Sequence, residues 1–190
     1  MRCVTSAEQK EWLTTNKQIE APYGRRDLVG KLYRQFYTPS RLAQTSAFIA
    51  SYLEAWQSGE ALLVVIDWAL YRPYEMRLID LVRTTHGERR PLIDAAGHLF
   101  PTDEKDDLVG LFSLTVAYYW SAYLYFPSSK TTLFNWEGEI FDFWTDDPNC
   151  YAKLLELQKS FHLKKTGVLS SKIYWIGKKA LWRFNRVVRS

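Results

Sequence analysis

Residues 108–126, from Leu108 to Phe126, run for nineteen positions without a charged side chain. Such a stretch must be kept from water, either inside a fold or in a bilayer, where about 20 apolar residues span the hydrocarbon as a helix. Its Ser113, Thr115, Tyr118, Tyr119, Ser121, Tyr123 and Tyr125 are not collected at the two ends, as the aromatic belts of two membrane interfaces would require. The expectation is a buried helix running into a buried strand, with no stable membrane insertion.

The residues from Tyr119 to Trp144 set the fold class. Three segments of high β-propensity, Tyr119 to Phe126, Thr131 to Trp136 and Glu139 to Trp144, are separated by Pro127-Ser128-Ser129-Lys130 and by Glu137-Gly138. Short β-rich runs with turn residues between them predict an antiparallel meander. Ala61 to Ile66, flanked by Gly59 and Asp67, is a further buried strand. The remaining signals are helical. Ser6 with Gln9 has the form of a capping box opening an exposed first helix. Leu28, Val29, Leu32, Tyr33 and Phe36 recur at helical spacing over Arg26 to Phe36.

Thr38 as N-cap and Pro39 at the first helical position open a helix with the stripe Leu42, Ile49, Tyr52, Leu53 and Trp56, ending at Gly59. Pro73 to Thr85 is read as a helix, although Met76, Leu78, Asp80 and Val82 also alternate. Thr102 followed by Asp103 and Glu104 starts the central apolar helix. Asp147 and Pro148 start one that carries Tyr151, Leu154, Leu155 and Phe161. The fold class is α+β: N-terminal helices, a small mainly antiparallel sheet, and flanking C-terminal helices.

Charge divides the chain. Eight of its 25 Lys and Arg lie in residues 163–190 together with none of its 21 Asp and Glu, so residues 1–162 keep 17 bases against 21 acids, a net −4. Residues 1–162 are read as a single α+β domain, and 163–190 as a basic amphipathic helical tail, docked on the same core or free. The tail's stripe is Ile173, Ile176, Ala180, Phe184 and Val187. Its Lys172, Trp175, Lys178, Lys179, Trp182, Arg183 and Arg186 interleave cations with rings. That pattern suits phosphate contact with base stacking, an interfacial membrane helix, or a terminal helix with its lysines in water.

Signatures of common chemistry are missing from the sequence: G-x-S-x-G, the P-loop, G-x-G-x-x-G and H-E-x-x-H. Cys3 and Cys150 stand far apart, suggesting neither a disulfide framework nor a zinc site. With a polar N-terminus in place of an apolar signal region, a cytoplasmic location is the expectation. His86, His98 and His162 stand alone, and His98 is read as a structural hydrogen-bonding residue. The reading is of a protein that is not an enzyme and needs neither metal nor cofactor.

Glu137, Glu139, Asp142, Asp146 and Asp147 place five carboxylates within eleven residues, among Trp136, Phe141, Phe143 and Trp144. Two carboxylates at a suitable separation can hydrolyse a glycoside, but solvated strand positions are the commoner reason for such a run. Acids among exposed tryptophans at a sheet edge also make a surface for a basic protein, with charge steering the encounter and rings supplying buried anchors. Asp67, Trp68 and Tyr71 extend that surface if their strand lies beside the meander.

Gly97-His98-Leu99-Phe100, the acidic helix start, the Tyr119 to Tyr125 run and the Glu137 to Asp147 segment together resemble, in layout, small bacterial immunity proteins that neutralise secreted toxins. The resemblance covers roughly residues 60 to 160. It implies a toxin or effector as partner, bound through Asp67, Trp68, Tyr71, Trp136, Glu137, Glu139, Asp142, Trp144, Asp146 and Asp147. The basic tail departs from that layout, puts a basic nuclease target in doubt, and leaves nucleic-acid binding through the tail as the alternative.

Overall fold

Seven strands drawn from both halves of the chain form one antiparallel sheet. The computed structural model describes residues 1–23, 28, 30–67 and 73–166, leaving aside the side chains of residues 67 and 73–75. The strands are β1 (Arg2–Val4), β2 (Leu32–Tyr37), β3 (Ala61–Asp67), β4 (Gly97–Phe100), β5 (Ser121–Phe126), β6 (Thr131–Trp136) and β7 (Ile140–Thr145). Their spatial order is β1-β4-β3-β5-β6-β7-β2. The helices are α1 (Ser6–Thr15), α2 (Leu42–Trp56), α3 (Pro73–Thr85), α4 (Lys105–Ala117) and α5 (Pro148–Ser160). The fold is α+β as expected, but the sheet is large and strands begin at residue 2.

The uncharged run divides between α4 and β5. Leu108, Leu111 and Phe112 of α4 join Phe48, Ile49, Tyr52, Leu53 and Trp56 of α2 and Leu154 of α5 on one face of the sheet, against Leu63, Leu124, Leu133, Phe141 and Phe143. Each such side chain stabilises the fold by about 1.5–3 kcal/mol relative to an exposed one. The opposite face carries Leu62, Val64, Leu99, Tyr123, Tyr125, Phe134 and Trp144, packed under Leu13 of α1 and the segment after it. The Tyr123 and Tyr125 hydroxyls accept hydrogen bonds from the Tyr23 and Ala21 backbone N–H groups, at 3.1 and 3.2 Å, fastening that segment across the sheet. Both faces are therefore covered, so β5 and β7 are buried at every position.

Several local expectations shift. Leu32 to Phe36 is strand, not helix. Its residues alternate as well as they repeat at 3.6, and full-length pairing of β2 with β7, Leu32 opposite Thr145 through Tyr37 opposite Ile140, decides the matter. Residues 24–27 and 29 lie outside the described residues. The first capping box is Thr5 with Glu8, one residue earlier than read, and β1 precedes it.

Thr38 does not cap α2, because its hydroxyl donates to the Gly138 carbonyl at 2.7 Å; the helix begins at Leu42 behind an extended Arg41, which makes no side-chain cap bond. Leu42 is consequently exposed, and Phe48 takes its place in the core. At α4 a 3-10 turn over Thr102–Glu104 precedes the helix, while the Glu104 carboxylate is taken by the Met1 amine. The α5 start is as expected, with the Asp147 carboxylate accepting from Asn149 N–H at 2.8 Å and Pro148 in the first turn.

The sheet edges are blunted. β1 has three residues, and the Cys3 carbonyl takes a hydrogen bond from Arg90 at 3.1 Å. On the outer side of β2, Tyr37 N–H donates to Lys164 O at 3.0 Å and Thr166 N–H to Gln35 O at 3.3 Å, so the root of the basic tail lies along that edge. No helix among the described residues is long and apolar enough to cross a membrane.

Candidate protein-binding rim

The acidic segment does not form one surface. Asp142 and Trp144 are only 1% and 2% exposed, on a strand that has β6 on one side and β2 on the other, so the expectation of exposed residues on a sheet edge is corrected. The Asp142 carboxylate accepts from the Tyr33 hydroxyl and from Gln35 Nε2 at 2.9 Å, and Gln35 Oε1 accepts in turn from the Thr166 hydroxyl at 2.6 Å. Trp144 packs on Tyr33 with ring centroids 5.4 Å apart. Both positions belong to the interior.

The other four carboxylates are split. Glu137 and Glu139 sit in the β6–β7 turn, whereas Asp146 and Asp147 lie beyond the far end of β7, about 20 Å away at the rise of a six-residue strand. Asp147 is occupied as the α5 cap, and Asp146 is 3.4 Å from Lys31 Nζ. Five carboxylates that are neighbours in sequence therefore do not converge on one substrate.

At the Glu137 end a different group of residues assembles. β3 lies beside β5, so the end of β3 meets the start of the meander as the extended surface required; Asp67 is paired with Ser121. A bulge between Val65 and Asp67 interrupts the register there, and Ile66 is 48% exposed. Glu137 N–H donates to the Ser121 hydroxyl at 3.4 Å. Glu137 and Gly138 both have positive φ, 47° and 69°, and Glu139 N–H closes on Trp136 O at 3.1 Å, the two-residue turn that suits strand twist. Thr38 N–H donates to Glu139 O at 3.0 Å, which brings the end of β2 alongside.

Gly138 also packs against the end of α4: a Cβ there would lie 2.3 Å from Val116 O and 3.3 Å from Tyr119 Cδ1. The result is a rim in which Tyr37, Ile66 and Tyr119, at 40%, 48% and 61% exposure, are interleaved with half-buried Trp136, Glu137 and Glu139. Trp136 is steadied by Tyr23, with ring centroids 5.8 Å apart. Tyr37 and Tyr119 were missed in sequence because nothing local marks which aromatic residues of an aromatic-rich strand end face outward.

Of the residues expected to bind, Trp136, Glu137 and Glu139 are on the rim, with Asp67 at its β3 position. Asp142 and Trp144 are buried, and Asp146 and Asp147 are at the opposite end. Trp68 and Tyr71, and Lys172, Trp175, Lys178, Lys179, Trp182, Arg183 and Arg186 of the tail, lie outside the described residues.

Two other places hold groups capable of chemistry. A shallow groove of about 420 Å³ is lined by Trp12, Thr15, Asn16, Lys17, Gly59, Glu60, Pro127 and Ser128. Its one carboxylate, Glu60, is held by the Trp12 indole N–H at 2.7 Å. Cys3 and His98 face each other across β1 and β4, but at 6% and 0% exposure neither can meet a substrate. Burial, then the nearby Arg83 guanidinium, pushes the His98 pKa down to about 3, so the ring is neutral. No group of three potential metal ligands occurs among the described residues. Comparison with known proteins finds no matching family model, no similar curated protein and no similar solved structure, so the function must be read from the chemistry of the rim.

Proposed function

We propose that the chain is a non-enzymatic binding protein of the immunity type, which neutralises a partner toxin or effector in the cytoplasm by docking its rim on a basic surface of that partner. The observation that carries this reading is the gathering of exposed Tyr37, Ile66 and Tyr119 around Glu137 and Glu139 at one end of the sheet. Apolar anchors bordered by charge are the composition of a protein-binding patch. Glu137 and Glu139 put negative charge at its border, which a cationic surface would complement. Free Cys3 and Cys150 accord with a reducing compartment.

The test is co-expression with the protein encoded by the adjacent gene. A stoichiometric complex, protection from that protein's toxicity, and an association rate that falls with added salt are expected. Absence of both complex and protection would sink the reading.

The charge of the tail supports a second reading, nucleic-acid binding. It predicts affinity for DNA or RNA that falls steeply with salt. Because Lys164 and Thr166 pair with β2, the informative deletion is 167–190. Binding that survives this deletion removes the tail as its source.

A further inference from the structure

We propose that α3 is a flap that acid lifts from the edge of the sheet, uncovering the Cys3 thiol while the sheet beneath stays paired. The proposal concerns the edge far from β2 and stands whether or not the rim binds a partner.

Under α3 lies a cluster of groups that are buried without partners. Cys3 of β1 and His98 of β4 are directly opposite each other, 6% and 0% exposed. Arg83 of α3 is 1% exposed beside them. Among the described residues, both ring nitrogens of His98 and the Nε and Nη1 of Arg83 have no hydrogen-bond partner. Most buried nitrogens are paired, and an unpaired one weakens the structure that encloses it.

The charges around His98 come from each element packed on it. β1 offers only the Cys3 thiol, whose pKa burial pushes up, so it is neutral. β3 places apolar Leu63 opposite the ring. α3 offers the Arg83 guanidinium, with Asp80 3.7 Å from Nη1 but 54% exposed. In the segment after α3, Glu88 is engaged by Arg90 Nη2 at 2.6 Å. No carboxylate pairs with the His98 ring among the described residues. A proton on His98 therefore adds a second cation beside Arg83 with no acid to offset it. Moving α3 away separates the two cations and gives both to water.

α3 is also the helix best able to yield. Of its side chains from Met76 to Thr85, Ile79 and Arg83 are the two buried ones, against six each in α2 and α4. Leu78 and Leu81 face outward at 42% and 61% exposure. Few buried contacts mark a segment that opens at less cost than the whole fold. Just past its end, His86 lies between Asp107, Glu104 and the Met1 amine, at 3.1, 3.6 and 3.1 Å. Two flanking carboxylates keep this tether in place while they stay ionised, which makes it the pivot.

The experiment follows the reaction of Cys3 with dithiodipyridine in the full chain carrying Cys150→Ser, relative to the urea-unfolded chain at the same pH. A covered thiol reacts only through opening. The open state takes up a proton with the ordinary pKa of 6.5, the covered state with one of about 3. The corrected rate should therefore be level above pH 7 and about 30-fold higher at pH 5.0. His98→Leu should remove that rise. At pH 5.0 the rate should increase with urea less than about half as steeply as unfolding followed by tryptophan fluorescence, because a flap exposes less surface than the whole chain. A corrected rate that ignores pH, a rise that survives His98→Leu, or a urea slope equal to that of global unfolding overturns the proposal. Should His98→Leu not fold, the pH profile and urea slope of the Cys150→Ser chain decide alone.

Discussion

Cys3 on β1 lies directly opposite His98 on β4, and the guanidinium of Arg83 is buried beside both. Arg83 is 1% exposed; its Nη2 donates to Ala95 O at 3.0 Å, and Nη1 is 3.7 Å from the Asp80 carboxylate. An imidazole enclosed this way has no room for a second positive charge.

That enclosure makes stability depend on pH. The His98 pKa of about 3 in the fold is below the ordinary 6.5 of the unfolded chain. Below about pH 6.5 the unfolded state binds a proton that the folded state refuses, so stability falls as pH drops from 6.5 toward 3 and is level above that window. The full effect is about 5 kcal/mol at most. Urea unfolding at pH 7.0, 6.0 and 5.0 should show this slope, and a His98→Leu variant should lose most of it; equal slopes would contradict the assignment.

Two glycines should respond oppositely to the same change. Gly110, inside α4, has open space around a built Cβ, so Gly110→Ala should stabilise by about 0.5–1 kcal/mol. Gly138 has φ 69° and a carbonyl oxygen 2.3 Å from where a Cβ would go, so Gly138→Ala should cost about 2–4 kcal/mol. Thermal unfolding of both variants settles the order.

Burial of Asp142 separates stability from binding. Asp142→Leu removes the acceptor of the Tyr33 hydroxyl and the Gln35 amide within the sheet and should cost about 2–4 kcal/mol. Partner affinity of the folded fraction should be unchanged. A folded Asp142→Leu protein with weakened binding would return this carboxylate to the interface.

Glu137→Gln combined with Glu139→Gln should act on association. The association rate with a basic partner should fall several-fold at low salt and converge with the parent's at high salt. Stopped-flow mixing over a salt series measures it.

Much of the architecture is legible locally. Ala61 to Ile66, the Pro73 to Thr85 helix, the three runs of the meander and the Asp147-Pro148 start all carry signals within a few residues, and each is found close to where those signals lie. β2 is not legible, because Leu32, Tyr33 and Phe36 satisfy both periods and the deciding partner, β7, is about a hundred residues away. β1 is too short to have a period.

The site is harder to read for a related reason. Asp142 and Trp144 look like solvent-facing positions, but Tyr33 and Gln35 of β2, about a hundred residues upstream, lie against them. Nothing in the residues around Asp142 announces a cover contributed from so far upstream.

The same pairing has a consequence for synthesis. Phe36 finds its strand partner Phe141 only after about a hundred further residues have been made, and Val4 waits almost as long for Gly97. At about 5–20 residues per second, the first third of the chain leaves the ribosome with its apolar side chains uncovered for roughly 5–20 s. Until β7 emerges, β2 is an unpaired aromatic strand, so yield in a heterologous host should depend on chaperone capacity and growth temperature before it depends on the stability of the finished fold.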